Sequence, residues 1–148
     1  MSANKSSTHA VPTGIVVHQK SRVMEISFDN GESYRLPFEY LRVYSPSAEV
    51  RGHGPGQEVL QTGKRDVGID AVEPVGNYAI QPRFDDGHDT GIYAWEYLLR
   101  LGRDHELLWK QYVDQIDAAG ASRDPVGGGA PSSQDGSIAS RSVSRPRS

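Results

Sequence analysis

The chain has 148 residues, of which 36% are hydrophobic and 24% charged, with a net charge of -3; this is the composition of a soluble globular protein with polar appendages, with no general attraction to nucleic acid. It has no cysteine, which excludes disulfides, thiolate catalysis and any cysteine-based zinc or iron–sulfur site formed by this chain alone. No stretch approaches the roughly 18 apolar residues of a membrane span, and the polar first nine residues lack the apolar core of a secretory signal, so a cytoplasmic location is the expectation.

Residues 1–11 are expected to be a disordered leader. Residues 16–28 read as extended, with Met24, Ile26 and Phe28 on one face and Val23, Glu25 and Ser27 on the other. Asp29-Asn30-Gly31-Glu32 is a tight-turn signal, so residues 33–36 are expected to pair back as a hairpin. Pro37 suits the first turn of a helix over about 37–43, which Ser45-Pro46 would end. Residues 45–65 hold five glycines and prolines between 52 and 63 and read as a long loop. Two more strands are expected over 67–75 and 77–84, around a turn near Gly76. Asp89 or Thr90 offers a cap for an amphipathic helix presenting Ile92, Trp95, Leu98 and Leu99, which Gly102 would break. A second helix over about 104–118 presents Leu107, Leu108, Tyr112 and Ile116 and stops at Gly120.

From residue 121 the chain is rich in Ser, Gly and Pro and should be a disordered tail ending in a Ser-Arg-rich segment. That tail carries four arginines against two aspartates, whereas residues 1–120 carry 12 basic and 17 acidic side chains, a net charge of -5. Strands come first and helices last, with tight turns between neighbouring strands. The expectation for residues 12–120 is therefore an α+β domain: a small antiparallel sheet, a short helix after the first hairpin, and two C-terminal helices packed on it.

Three blocks, residues 36–49 (Leu-Pro-Phe-Glu-Tyr-Leu-Arg-Val-Tyr-Ser-Pro-Ser-Ala-Glu), 72–78 (Val-Glu-Pro-Val-Gly-Asn-Tyr) and 84–93 (Phe-Asp-Asp-Gly-His-Asp-Thr-Gly-Ile-Tyr), together resemble the gamma-butyrobetaine hydroxylase-like N-terminal domain family. The resemblance spans about residues 12–101. It implies a domain that, in carnitine-pathway oxygenases, precedes an iron and 2-oxoglutarate-dependent catalytic domain and holds a structural zinc through three cysteines and one histidine. In other settings the domain stands alone or is fused to ATPases that carry iron–sulfur clusters. By position His88 matches the histidine ligand, while Ser45, Ser47 and Val50 stand where the thiols would be. A serine hydroxyl is a poor zinc ligand at neutral pH, so no cofactor is expected and the zinc site of relatives is expected to be lost. With no room for an oxygenase domain in 148 residues, oxygenase activity is not expected either.

Two readings of the junction remain open. Ser45, Ser47 and His88 could replace a metal with hydrogen bonds that tie the loop to the helix start. Alternatively His88, His53, Asp86 and Asp89 could form a nitrogen and oxygen site for a divalent metal. Asp85, Asp86 and Asp89 resemble a carboxylate cluster, but a tight turn with a helix cap needs the same residues. His18, His88 and His105 have no serine pattern suggesting a triad, and residues 52–56 lack the lysine and helix of a phosphate loop. Trp95 and Trp109 are expected to pack in the core. The leading expectation is a non-enzymatic accessory domain docking an unidentified protein partner through Arg42, Ser45, Ser47, His53, Asp86, His88 and Asp89, connected with iron–sulfur handling or an iron-dependent oxygenase; the alternative is a metal-binding protein using His88 with His53 or nearby aspartates.

Overall fold

The computed structural model describes residues 10–52 and 57–125. Its first layer is an antiparallel sheet in the order β1-β2-β3, formed by β1 (Pro12–His18), β2 (Val23–Phe28) and β3 (Ser33–Pro37). The run expected to be extended over 16–28 is folded back on itself by a turn at residues 19–22. That turn has no glycine or proline to announce it, and Arg22 takes the left-handed conformation at φ 55°. The fold-back is driven by register: Ile15 and Val17 lie opposite Ile26 and Met24, which lie opposite Tyr34 and Leu36. These rows make one apolar face, on which Met24, Ile26 and Leu36 are fully buried. The Asp29-Asn30-Gly31-Glu32 turn is present, with Gly31 at φ 92°.

Helix α1 (Phe38–Val43) follows directly, with Pro37 as its N-cap, and every one of its residues is buried. Such burial around the whole circumference is the mark of a core helix, which needs covering elements on all sides. A four-residue helical turn, α2 (Ala48–Arg51), interrupts the stretch expected to be an irregular loop. The second layer is a separate sheet in the order β4-β5-β6, with β4 (Ile69–Val75), β5 (Ala79–Phe84) and the two-residue β6 (Tyr93–Ala94). The antiparallel strands are thus divided between two small sheets.

Helices α3 (Trp95–Arg103) and α4 (His105–Ala118) close the α+β fold. Gly102 does not break α3. It lies inside the helix, where a Cβ would come within 2.4 Å of the Tyr34 ring, so its missing side chain is what lets α3 settle on β3. The break falls at Asp104. Leu98, Leu99, Tyr112 and Ile116 are buried as expected, but Ile92 and Leu107 are exposed at 45% and 57%. Ile92 precedes β6 rather than lying on a helix, which is why helical spacing misplaced it. Both tryptophans are half-buried and pack against the core. Gly120, at φ 65°, ends α4, and the Ala121 amide donates back to the Ile116 carbonyl.

Tyrosine hydroxyls fasten these helices to one another. Tyr40 donates to the Leu101 carbonyl at 2.7 Å and Tyr44 to that of Leu108 at 2.7 Å, while Tyr93 and Tyr97 donate to the carbonyls of Leu41 and Tyr44. The bonds to Leu41, Tyr44 and Leu101 satisfy carbonyls at helix C-terminal ends that the helices themselves leave unpaired. Among the described residues, no helix is long and apolar enough to cross a membrane. Residues 122–124, placed by sequence in the tail, hydrogen-bond to the 63–65 loop, so the packed region passes residue 120. The leader to residue 9 and the tail from residue 126 lie outside the described residues.

Candidate functional site

The junction between the 44–51 segment and the 84–91 turn is built from local rules. Tyr44 ends α1, its amide bonded to the Tyr40 carbonyl, and Pro46 keeps the preceding Ser45 out of helical conformation. Ser47 then caps α2, its Oγ accepting from the Glu49 amide at 3.1 Å. Across the junction, Gly87 takes φ 91° and the Phe84 amide bonds to the His88 carbonyl at 3.0 Å, closing the turn. Asp86 Oδ1 accepts from the His88 amide at 3.1 Å, and together these bonds direct the imidazole inward.

His88 is 4% exposed and both ring nitrogens are engaged. Nδ1 lies 2.8 Å from Glu49 Oε1, and Nε2 lies 2.8 Å from Ser45 Oγ. A carboxylate only accepts, so Nδ1 carries the proton and donates to Glu49, while the Ser45 hydroxyl donates to Nε2. Ser45 Oγ also accepts from the Ser47 amide at 3.3 Å, and the Ser47 hydroxyl pairs with Thr90 Oγ1 at 2.7 Å. Gly91 is required here: a Cβ at that position would lie 2.4 Å from Ser45 Oγ. Burial and the Arg42 charge push the His88 pKa below its usual 6.5, against the pull of Glu49 and Asp86.

Beside the imidazole, Arg42 Nε donates to Asp86 Oδ2 at 2.9 Å and Lys64 Nζ donates to the same oxygen at 2.6 Å. The second arm of Arg42 reaches Gln61 at 2.9 Å. Burial raises the Asp86 carboxyl, but the hydrogen bonds from Lys64, the His88 amide and Arg42 outweigh it and hold its pKa at about 2.

Hydroxyl, imidazole and carboxylate in a line form the geometry of an activated nucleophile. Here, however, the hydroxyl is the buried end. Ser45 is 1% exposed, with Gly91 and Pro46 against it and the Tyr93 phenol next to it, whereas the Glu49 side chain is 63% exposed. A reacting atom would have to come within about 3–3.5 Å of Oγ, and the enclosure leaves no approach. In this arrangement the line ties two loops together.

The residues of the expected docking set differ in exposure. Arg42, Ser45, Ser47 and His88 are buried, each with polar atoms bonded to neighbours inside the fold. Asp86 is held by two cations. Asp89 is exposed, its carbonyl accepting from Gln81 at 2.6 Å. Neither Asp89 nor Thr90 caps a helix, since α3 starts only at Trp95 with Ala94 at its N-cap. His53 lies outside the described residues. The donors that resemble the zinc ligands of relatives do not fit zinc: both His88 nitrogens and both serine hydroxyls already have partners, and Val50 has no donor atom. Among the described residues no three His, Asp or Glu side chains come together as a metal cluster. Sequence reasoning missed Glu49, Thr90, Gln61 and Lys64. Only Glu49 left a signal, an acidic residue in the first turn behind a serine cap after Pro46.

This fold has relatives. Two solution NMR structures align with TM-scores of 0.69: one at 46% identity covers 79% of this chain and 92% of its own, the other at 47% identity covers 90% and 94%. A crystal structure of a protein of unknown function from the DUF971 family of Acidithiobacillus ferrooxidans ATCC 23270 aligns at 45% identity and a TM-score of 0.52, over 62% of this chain and 91% of that one. No curated protein matches. Residues 15–99 match the family described as gamma-butyrobetaine hydroxylase-like, N-terminal, and the chain belongs to that family.

Proposed function

We propose that this chain is a non-enzymatic docking domain that binds a basic segment of a protein partner through the acidic rim of the loop–turn junction. The observation that carries this reading is the position of Glu49, tethered to a buried histidine yet with a side chain 63% exposed. Asp85 and Asp89 are exposed on the facing turn, and Val59 and Ile92, exposed at 53% and 45%, lie on the segments that meet there. The Val59 amide bonds to the Val50 carbonyl, which sets that residue beside α2. Charges held on a tethered platform lose little freedom on binding, so they favour affinity and on-rate for a basic partner. The excess of acidic side chains over residues 1–120 works in the same direction. In this reading such a partner belongs to iron–sulfur handling or iron-dependent oxygenation, the settings that the family resemblance suggests.

The test is affinity purification from the native host with the wild-type chain and with Glu49→Lys/Asp85→Lys/Asp89→Lys. The reading expects a partner that rebinds as a purified protein and loses at least about tenfold in affinity to the variant and in raised salt. A partner indifferent to both, or no partner held by the wild type, would sink it.

A further inference from the structure

Past Gly120 the chain lies as a strap along the 63–65 loop, where the Gly63 and Arg65 amides donate to the Ser122 and Arg123 carbonyls, both at 2.9 Å. From this strap Arg123 turns inward. Its Nε and Nη2 donate to the two oxygens of Glu39, each at 2.8 Å, and its guanidinium carbon sits 4.9 Å from the centre of the Trp109 ring. Glu39 lies in the first turn of α1 and is 7% exposed. A carboxylate removed from water to that degree needs two well-aligned donors, and a planar guanidinium beside an aromatic face supplies them where a lysine ammonium does not.

Beyond these bonds, the side chains of the described strap residues are largely exposed. Among the described residues of the strap, the Arg65–Asp124 pair is exposed at 45% and 65%, and Ala121 alone packs against the small cluster of Val43, Tyr112 and Ile116. The occupant is thus held chiefly by the pocket it fills. We propose that Glu39 and Trp109 form a binding site for an arginine side chain presented by a partner protein, with Arg123 as the internal occupant that the partner's arginine displaces on docking. The site is separate from the acidic rim and does not depend on it.

The experiment follows the Trp109 indole N–H signal by NMR in the full-length chain, titrated with acetyl-Gly-Arg-Gly-amide and with its lysine counterpart. In Arg123→Ala the arginine peptide is expected to give a saturable shift at least about tenfold tighter than the lysine peptide. The shift should disappear when Glu39→Gln is added. Arg123→Lys, which keeps the charge but not the fork, should respond in the same way and serves if Arg123→Ala does not fold. The wild type should reach the same end point at higher peptide concentration, because its own arginine competes at high effective concentration. The proposal is overturned if the two peptides act alike, if neither variant saturates, or if the wild-type signal stays unmoved at about a thousand times the variant's half-saturating concentration.

Discussion

The core around α1 and the inner side of the loop–turn junction are both closed to solvent, yet they are closed by opposite means. Around α1, Phe38, Leu41, Met24 and Leu36 are fully buried, and tyrosine rings fill the space while their hydroxyls reach backbone carbonyls. At the junction the buried polar side chains are Arg42, Ser45, Ser47 and His88, and almost every contact that matters joins one side chain to another. An apolar core is stabilised by area removed from water and tolerates modest rearrangement. A polar network is stabilised only while each donor has its acceptor, so one missing atom strands its partner.

That contrast sets the size of several expected effects. Phe38→Ala removes a fully buried ring and should destabilise by about 3–5 kcal/mol in chemical denaturation. A loss near 1 kcal/mol would mean that the core around α1 collapses to fill the space. Ser45→Ala removes few atoms but leaves His88 Nε2 without its donor, for an expected loss of about 1–3 kcal/mol. Because the two residues share one bond, Ser45→Ala and His88→Phe should be non-additive in a double-mutant cycle; additivity would show that the bond contributes nothing. Glu49→Gln, at the exposed end of the same line, should cost less than about 1 kcal/mol, since water screens it. A cost equal to that of Ser45→Ala would contradict the view that the line is anchored at its buried end.

The smallest effect is a dependence on pH. Burial and Arg42 depress the His88 pKa, and burial depresses that of His105. The folded protein therefore binds fewer protons than the unfolded chain below the ordinary value of 6.5. The stability contributed by neutral imidazole is complete above that value and is lost as pH falls through the depressed folded values. Denaturation midpoints at about pH 7.5 and about pH 5.5 should differ in that direction, and a midpoint that stays level or rises on acidification would refute the sign.

Much of the chain's local structure was written in local signals. The Asp-Asn-Gly turn, the proline start of α1, the alternation of Met24, Ile26 and Phe28, and the glycine after α4 each act within a few residues, so each could be read without knowing the fold. The turn at 19–22 could not, because its cause is the pairing of Ile15 and Val17 with β2 rather than any turn residue. Gly102 misled for the same kind of reason: its role is set by the Tyr34 ring, 68 positions away in the chain.

The sequence by itself determined the class of fold, the family, the absence of thiolate chemistry and the meeting of Ser45, Ser47 and His88 at the junction. Only the tertiary structure decided that Arg42, Ser45, Ser47 and His88 face inward, that Glu49 completes the line to His88, and that Arg123 fills a site made by Glu39 and Trp109. The physical reason is that helix starts, turns and periodicity are short-range, whereas burial and the choice of hydrogen-bond partner depend on which distant segments the packing brings within about 3 Å of one another.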